Sequence, residues 1–333
     1  MVFRKGETVI MDHSRLSEAV RRIGVHDLFQ RYPGNPILEP AQLPYPATGV
    51  FNPGAARVGD ETILLLRVED HRGFSHLTVA RSSDGLTNWR INAEPTLEAS
   101  PDHHEDQWGI EDPRIVWLDE ERSYAVTYVS FTPGGPTVSL AKTRDFRDFQ
   151  RVGRLMPPED KDASLLPRRI GGRHVLIHRP IVRGEAHMWI SFSPDLKHWG
   201  DHSVLLPTRP HWWDGVRVGL GAPPIETPEG WLLIYHGVRM TASVDVYRVG
   251  LALLDLEEPW RVRCRSPEWV LGPQESYELI ASMPGVLFPT GAIWDRSSDQ
   301  LIVYYGAGDH YVAAATARMR DVLDYVLQCP VEK

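Results

Sequence analysis

The sequence predicts an all-β fold, a five-bladed β-propeller with short helical segments at its N- and C-terminal ends. Three observations predict it. Five strand-like apolar runs recur along the chain: Thr62 to Arg67, Tyr124 to Tyr128, His174 to Arg179, Trp231 to His236 and Leu301 to Tyr305. Each follows a segment opened by a proline (Pro53, Pro113, Pro167, Pro223 or Pro289), usually across a turn such as Gly59-Asp60 or Gly171-Gly172. Each then leads to a third run: Leu77 to Ala80, Val138 to Ala141, Met188 to Ser191, Val249 to Ala252 and Val312 to Ala315. The period is roughly 50 to 65 residues, a little above that of common four-stranded blades. An irregular β-sandwich with chance similarity between its parts is the competing architecture.

In chain order, Ser14 to Arg22 reads as a short helix, with Ser14 as cap and Glu18 near capping-box spacing. Arg31-Tyr32-Pro33-Gly34-Asn35-Pro36 breaks any helix, so residues 1–34 form an N-terminal extension and the propeller is expected over 35–317. Several third runs enter a polar turn and then an aromatic: Asp84-Gly85 to Trp89, Asp145 to Phe149, Asp195 to Trp199 and Asp255 to Trp260. These are blade turns. Residues 318–333 close the chain with a helix, its apolar positions between Met319 and Leu327 at helical spacing. No linker divides the sequence, and one domain over 1–333 is expected.

The 333 residues are 42% hydrophobic and 24% charged, an ordinary globular balance. The net charge of -8 argues against nucleic acid or an anionic membrane as main partner. Only two cysteines occur, Cys264 and Cys329, without CxxC spacing, so neither a disulfide framework nor a zinc site is expected. The first residues lack an apolar signal region and no run approaches a membrane span, which points to a cytoplasmic protein. A homo-oligomer is compatible with the chain, and no apolar stripe argues for one.

The stretch around which the chain is organised is Gly109-Ile110-Glu111-Asp112-Pro113-Arg114. Two carboxylates and an arginine stand at the mouth of an apolar strand, where a rigid scaffold can hold an acid. Pro113 cannot donate a ladder hydrogen bond and restricts Asp112. Polar residues fall at corresponding places in other units. Asn52 precedes Pro53, while Arg67, Arg179 and His236 each end a second run, and Asp309 lies just past the fifth. In a ring these side chains converge on one axial pocket.

Phe51-Asn52-Pro53-Gly54-Ala55, Leu66-Arg67-Val68-Glu69, Glu111-Asp112-Pro113-Arg114, Lys161-Asp162-Ala163, His178-Arg179-Pro180, Tyr235-His236-Gly237-Val238 and Tyr304-Tyr305-Gly306-Ala307 together resemble glycoside hydrolase family 130. These are the β-mannoside phosphorylases and related mannosidases, and the likeness runs from about Asn35 to Tyr325. The resemblance implies a five-bladed propeller that cleaves a β-mannosidic bond with phosphate and inverts the anomeric centre, giving α-mannose 1-phosphate. It implies Asp112 as the general acid, acting through the mannose 3-hydroxyl. It implies Asn52, Arg67 and Asp309 around the mannose, and phosphate on Lys161, Arg179, Arg217, His236 and Tyr247. Glu111 is a candidate sugar contact or second carboxylate. Inorganic phosphate is then a co-substrate, with no cofactor and no metal.

The residue types suit that chemistry. An inverting hydrolase needs a carboxylic acid and a carboxylate base for water. Phosphate is already an anionic nucleophile; it needs cations that fix it in line with the anomeric carbon. Arginine offers a planar fork to two phosphate oxygens, and Lys161 a point charge. Position 217 carries Arg where the better-known phosphorylases are expected to have Lys, which keeps the charge. The competing functions are a β-mannoside hydrolase on the same fold and a non-catalytic glycan-binding propeller. Among other local features, His103-His104-Glu105-Asp106 reads as an acceptor-side loop rather than a metal site. Trp212-Trp213-Asp214 reads as packing or a sugar platform, and His71-Arg72-Gly73 as an acceptor contact.

Overall fold

The structure is a computed structural model that describes residues 28–100 and 102–330. The helix expected over Ser14 to Arg22 lies outside these residues. The described chain builds five antiparallel sheets. A two-residue strand, β1 (Gln30–Arg31), comes first. The first sheet is β2 (Gly49–Val58), β3 (Glu61–Glu69), β4 (Ser75–Ser82) and β5 (Arg90–Ile91). The second is β6 (Ile110–Leu118), β7 (Ser123–Thr132), β8 (Gly135–Thr143) and β9 (Gln150–Arg154). The third is β10 (Asp160–Leu165), β11 (His174–Pro180), β12 (Met188–Ser193) and β13 (Gly200–Leu206). The fourth is β14 (Arg217–Leu220), β16 (Gly230–Met240), β17 (Asp245–Leu254) and β18 (Val262–Arg265), with β15 (Ile225–Thr227) also paired to β16. The fifth is β19 (Leu287–Asp295), β20 (Gln300–Ala307) and β21 (Tyr311–Arg318), and its outer place is taken by β1.

The sheets follow one another around an axis. Strand β2 packs on β6, β6 on β10, β10 on β14, and β19 on β2, so the first strand of each blade faces the centre. The apolar cores lie between neighbouring blades. Leu64, Leu66 and Ala80 of the first blade, for example, meet Tyr304 and Ala314 of the fifth. Leu165 and Leu176 of the third meet Val116 and Leu140 of the second. Second strands are buried on both faces, which is why they read in sequence as continuous apolar runs.

The polar blade turns share one mechanism. Asp84, Asp145, Asp195 and Asp255 each accept backbone N–H bonds from the residues two and three positions on. Ring closure departs from expectation. Propeller structure begins before residue 35, because Gln30 and Arg31 pair with Thr316 and Ala315. The prolines also divide into two groups. Pro53, Pro113 and Pro289 lie inside the inner strands at bulges, whereas Pro167, Pro223 and Pro224 follow inner strands that start earlier, at Asp160 and Arg217. The helix Met319–Leu327 forms as expected, burying Met319, Val322 and Val326 against the fourth and fifth blades.

Candidate active site

Three inner strands carry the same irregularity at the same depth. Their ladders with the second strand shift register between Phe51 and Gly54, between Glu111 and Arg114, and between Lys161 and Ser164. Each bulge holds a residue in the left-handed region: Asn52 at φ 44°, Asp112 at φ 50° and Asp162 at φ 54°. Asn and Asp tolerate that conformation better than other residues with a side chain. A bulge re-aims one side chain out of the alternation, and here three are delivered to the channel. Asn52 also needs a glycine opposite, since a methyl group on Gly306 would overlap its Oδ1.

The channel opens into a cavity of about 750 Å³, within the range of small-ligand sites. Asn52, Arg67, Asp112, Lys161, Arg179, Arg217, His236, Tyr247 and Asp309 all line it. At one side Asp112 Oδ1 accepts from Asn52 Nδ2 at 2.8 Å and from Arg67 at 2.9 Å. Arg67 also donates to Glu111 Oε1 at 2.8 Å and Ser75 Oγ at 2.9 Å, and stands 4.6 Å over the Phe51 ring. Behind this group Arg114 is fully buried and donates to the carbonyls of Gly221, Leu220 and Asp112, tying the second blade to the fourth.

At the other side the cations gather. Arg179 Nε donates to Asp162 Oδ2 at 2.5 Å, and Lys161 Nζ lies 3.5 Å from Glu111. Arg217 donates to Tyr247 Oη at 3.0 Å and to Asp245 at 2.8 Å. His236 packs against both Tyr247 and Phe288, which also touch each other. The aliphatic side chains of Ile181, Val244 and Met283 form part of the rim.

The carboxyls titrate apart. Burial works to raise Asp112, but the charges of Arg67 and Lys161 and the Asn52 hydrogen bond outweigh it and hold it below the ordinary carboxylate range. Burial pushes Asp309 up to about 6, with Asp112 and Glu111 adding and Arg67 opposing. Burial lowers His236 to about 3, so its ring is neutral at pH 7 even though Asp162 favours its charged form. Such separation of neighbouring groups is usual where acid and base tasks are divided.

All ten residues that the sequence singles out are thus drawn together, Glu111 through its pairs to Arg67 and Lys161. Four carboxylates that line the cavity were missed as site residues: Glu159, Asp160, Asp162 and Asp245. Their signal was weak, because Asp162 precedes alanine rather than proline and Asp245 meets Arg217 across 28 positions of sequence. Other features fall elsewhere. Asp106 is buried, accepting from Ser130 and Arg151, and no group of three or more His, Cys, Asp or Glu among the described residues is placed to hold a metal. Trp213 stacks on Tyr235 in the blade core, and Trp212 donates to the Pro267 carbonyl. His71 and Arg72 belong to a turn held by Asp70, outside the cavity lining.

A five-bladed ring with a carboxylate-and-guanidinium pocket on its axis defines a propeller with a polar ligand site at its centre. Comparison with known proteins makes the assignment definite. A family model described as beta-1,4-mannooligosaccharide phosphorylase, of glycoside hydrolase family 130, matches residues 20–328. The chain is 34% identical over 311 residues to the beta-1,4-mannooligosaccharide phosphorylase of Ruminococcus albus, covering 90% of this chain and 91% of that protein. It is 35% identical over 308 residues to the 1,2-beta-oligomannan phosphorylase of a Thermoanaerobacter species, covering 88% and 98%. The structure of the beta-1,2-mannobiose phosphorylase of Listeria innocua, in complex with beta-1,2-mannobiose, superposes with a TM-score of 0.82 at 29% identity, covering 90% of this chain and 99% of that one. The chain belongs to glycoside hydrolase family 130.

Proposed function

We propose that the protein is an inverting β-mannoside phosphorylase that converts a β-mannoside and inorganic phosphate to α-mannose 1-phosphate and a shortened acceptor sugar. One observation carries the reading: Lys161, Arg179, Arg217, His236 and Tyr247 line the same cavity as Asp112. Hydrolysis has no use for that many cationic and donor groups beside the acid, whereas a phosphate nucleophile does. Relatives named for β-1,4 and β-1,2 mannosides are about equally similar, so the linkage is left to experiment. Phosphate is a co-substrate in this reading, and no cofactor or metal takes part. A cytoplasmic setting accompanies it, supported by two buried free thiols, Cys264 and Cys329.

In the proposed reaction mannose lies against Asn52, Arg67 and Asp309, and phosphate against the cations. Phosphate attacks the anomeric carbon from the face opposite the leaving oxygen, and the proton for that oxygen comes from Asp112. Arg67 and then Lys161 hold Asp112 in its ionised form against burial. A phosphate dianion beside Lys161 offsets that charge and raises the proton affinity of Asp112. The nucleophile therefore helps to load the acid.

The deciding experiment is cleavage of β-1,2- and β-1,4-mannobiose with and without inorganic phosphate. Phosphate-dependent release of α-mannose 1-phosphate is expected from one of them. Free mannose released equally fast without phosphate would overturn the reading in favour of a hydrolase. Asp112→Asn, which tolerates the same left-handed backbone, should lower kcat by about 10²- to 10⁴-fold with an unchanged circular dichroism spectrum.

A further inference from the structure

We infer that Asp162 is a positioning residue for phosphate binding: it holds Arg179 from behind so that the guanidinium presents its free edge to the anion. This rests on the phosphorylase reading above. The geometry is specific. Asp162 is buried, 1% exposed, and lies at the third of the bulges that hold a left-handed residue. Its Oδ2 receives Arg179 Nε at 2.5 Å and lies 3.5 Å from His236 Nε2. Its Oδ1 has no hydrogen-bond partner and faces Arg114 at 3.7 Å.

The bond is made to the inner nitrogen of the guanidinium. The other bond at Arg179 is made by its backbone N–H, to Asp160 Oδ1, so its two terminal nitrogens donate to no protein atom among the described residues. A guanidinium held by Nε and open at its fork is set to meet two phosphate oxygens side by side. Asp162 accepts and cannot donate. The His236 ring packs beside the same carboxylate, with its Nε2 3.5 Å from Asp162 Oδ2 and its Nδ1 buried. Gly219 completes the arrangement: a methyl group there would overlap both Asp162 Oδ2 and the His236 ring. The carboxylate and its glycine come from the third and fourth blades, and the cavity between them is where the cations converge.

A carboxylate beside an anion site has an obvious opposing effect, repulsion. The two roles predict opposite signs. If Asp162 positions Arg179, removing its charge weakens phosphate; if it only repels, removal strengthens it.

The test is calorimetric titration of inorganic phosphate into the wild-type protein, Asp162→Asn and Gly219→Ala, alongside steady-state kinetics with varied phosphate and varied mannobiose. The Asn variant keeps the left-handed backbone, and the Ala variant displaces the carboxylate without removing it. Both should weaken phosphate binding by about tenfold to a hundredfold, the worth of a charge-assisted hydrogen bond. The KM for phosphate should rise in parallel while the KM for the mannoside changes less than about twofold. Equal or tighter phosphate binding in folded Asp162→Asn would overturn the inference and leave the phosphorylase reading intact. So would equal weakening of both substrates in the two variants, the mark of a purely structural residue. A wild-type protein that binds no phosphate would overturn both.

Discussion

Asp309 is the residue at which pH should act most visibly on the protein itself. Its carboxyl titrates at about 6 against an ordinary 3.8, because it is buried close to Asp112 and Glu111. A carboxyl whose folded pKa lies above its unfolded one carries no penalty while protonated in both states. The penalty enters as pH rises from the unfolded value through the folded one, and at neutral pH it amounts to about 3 kcal/mol. Asp309→Asn should remove it. The variant should unfold at higher urea than the wild type at pH 8, with the advantage shrinking as pH falls below about 6 and gone below about 4. Its KM for mannoside should rise by tenfold or more if the side chain holds the sugar. Parallel stability curves for the two proteins would show that the site carries no such strain. Asp309 could be found from sequence because it follows a strand end that repeats. Asp162 could not, because nothing in Lys161-Asp162-Ala163 separates a buried carboxylate from a solvated one.

Among the elements, the inner strands and the closing contact carry most of the design. The bulges explain why the sugar-side residues were legible. Pro53 and Pro113 mark a missing ladder bond directly after the bulge residue, so Asn52 and Asp112 announce themselves. The third inner strand achieves the same backbone without proline, and its bulge was invisible. Closure was invisible for another reason, since two residues are too few to show any periodicity. What holds β1 in place is partly polar. Arg31 donates to both oxygens of Glu278, at 2.9 and 3.0 Å, and Glu278, fully buried, also accepts from Tyr305 and from the backbone of Gln274 and Glu275. Breaking a buried pair by removing one partner costs about 3–5 kcal/mol. Arg31→Met should therefore lower the stability measured by urea unfolding by that amount. The loss from Arg31→Met and Glu278→Gln together should fall well short of the sum of the two single losses. Additive losses would mean that the pair does not act as one latch.

At the scale of the whole molecule, the ring turns a sequence repeat into a site. Residues 52, 112, 162, 236 and 309 lie far apart in the chain and share one cavity because each blade contributes a side chain to the axis: three from inner-strand bulges, His236 from a second strand and Asp309 from the turn beyond one. That is why repeat counting reached both the fold and most of the pocket, while pairs joining different blades, such as Arg114 to Gly221 or Asp162 to Gly219, had no trace in any single motif. The ring also imposes an order in time. Gln30 pairs with Thr316, so one of the first described strands to leave a ribosome finds its partner only after 286 further residues have been made. At about 5–20 residues per second that is a wait of roughly 15 to 60 s. During it four blades can assemble pairwise through their shared cores, but the first blade has no fifth to cover Leu64, Leu66 and Ala80. The growing chain is an open arc with one bare apolar face, and the axial pocket, which needs Asp309 from the last blade, comes into existence only when the arc closes.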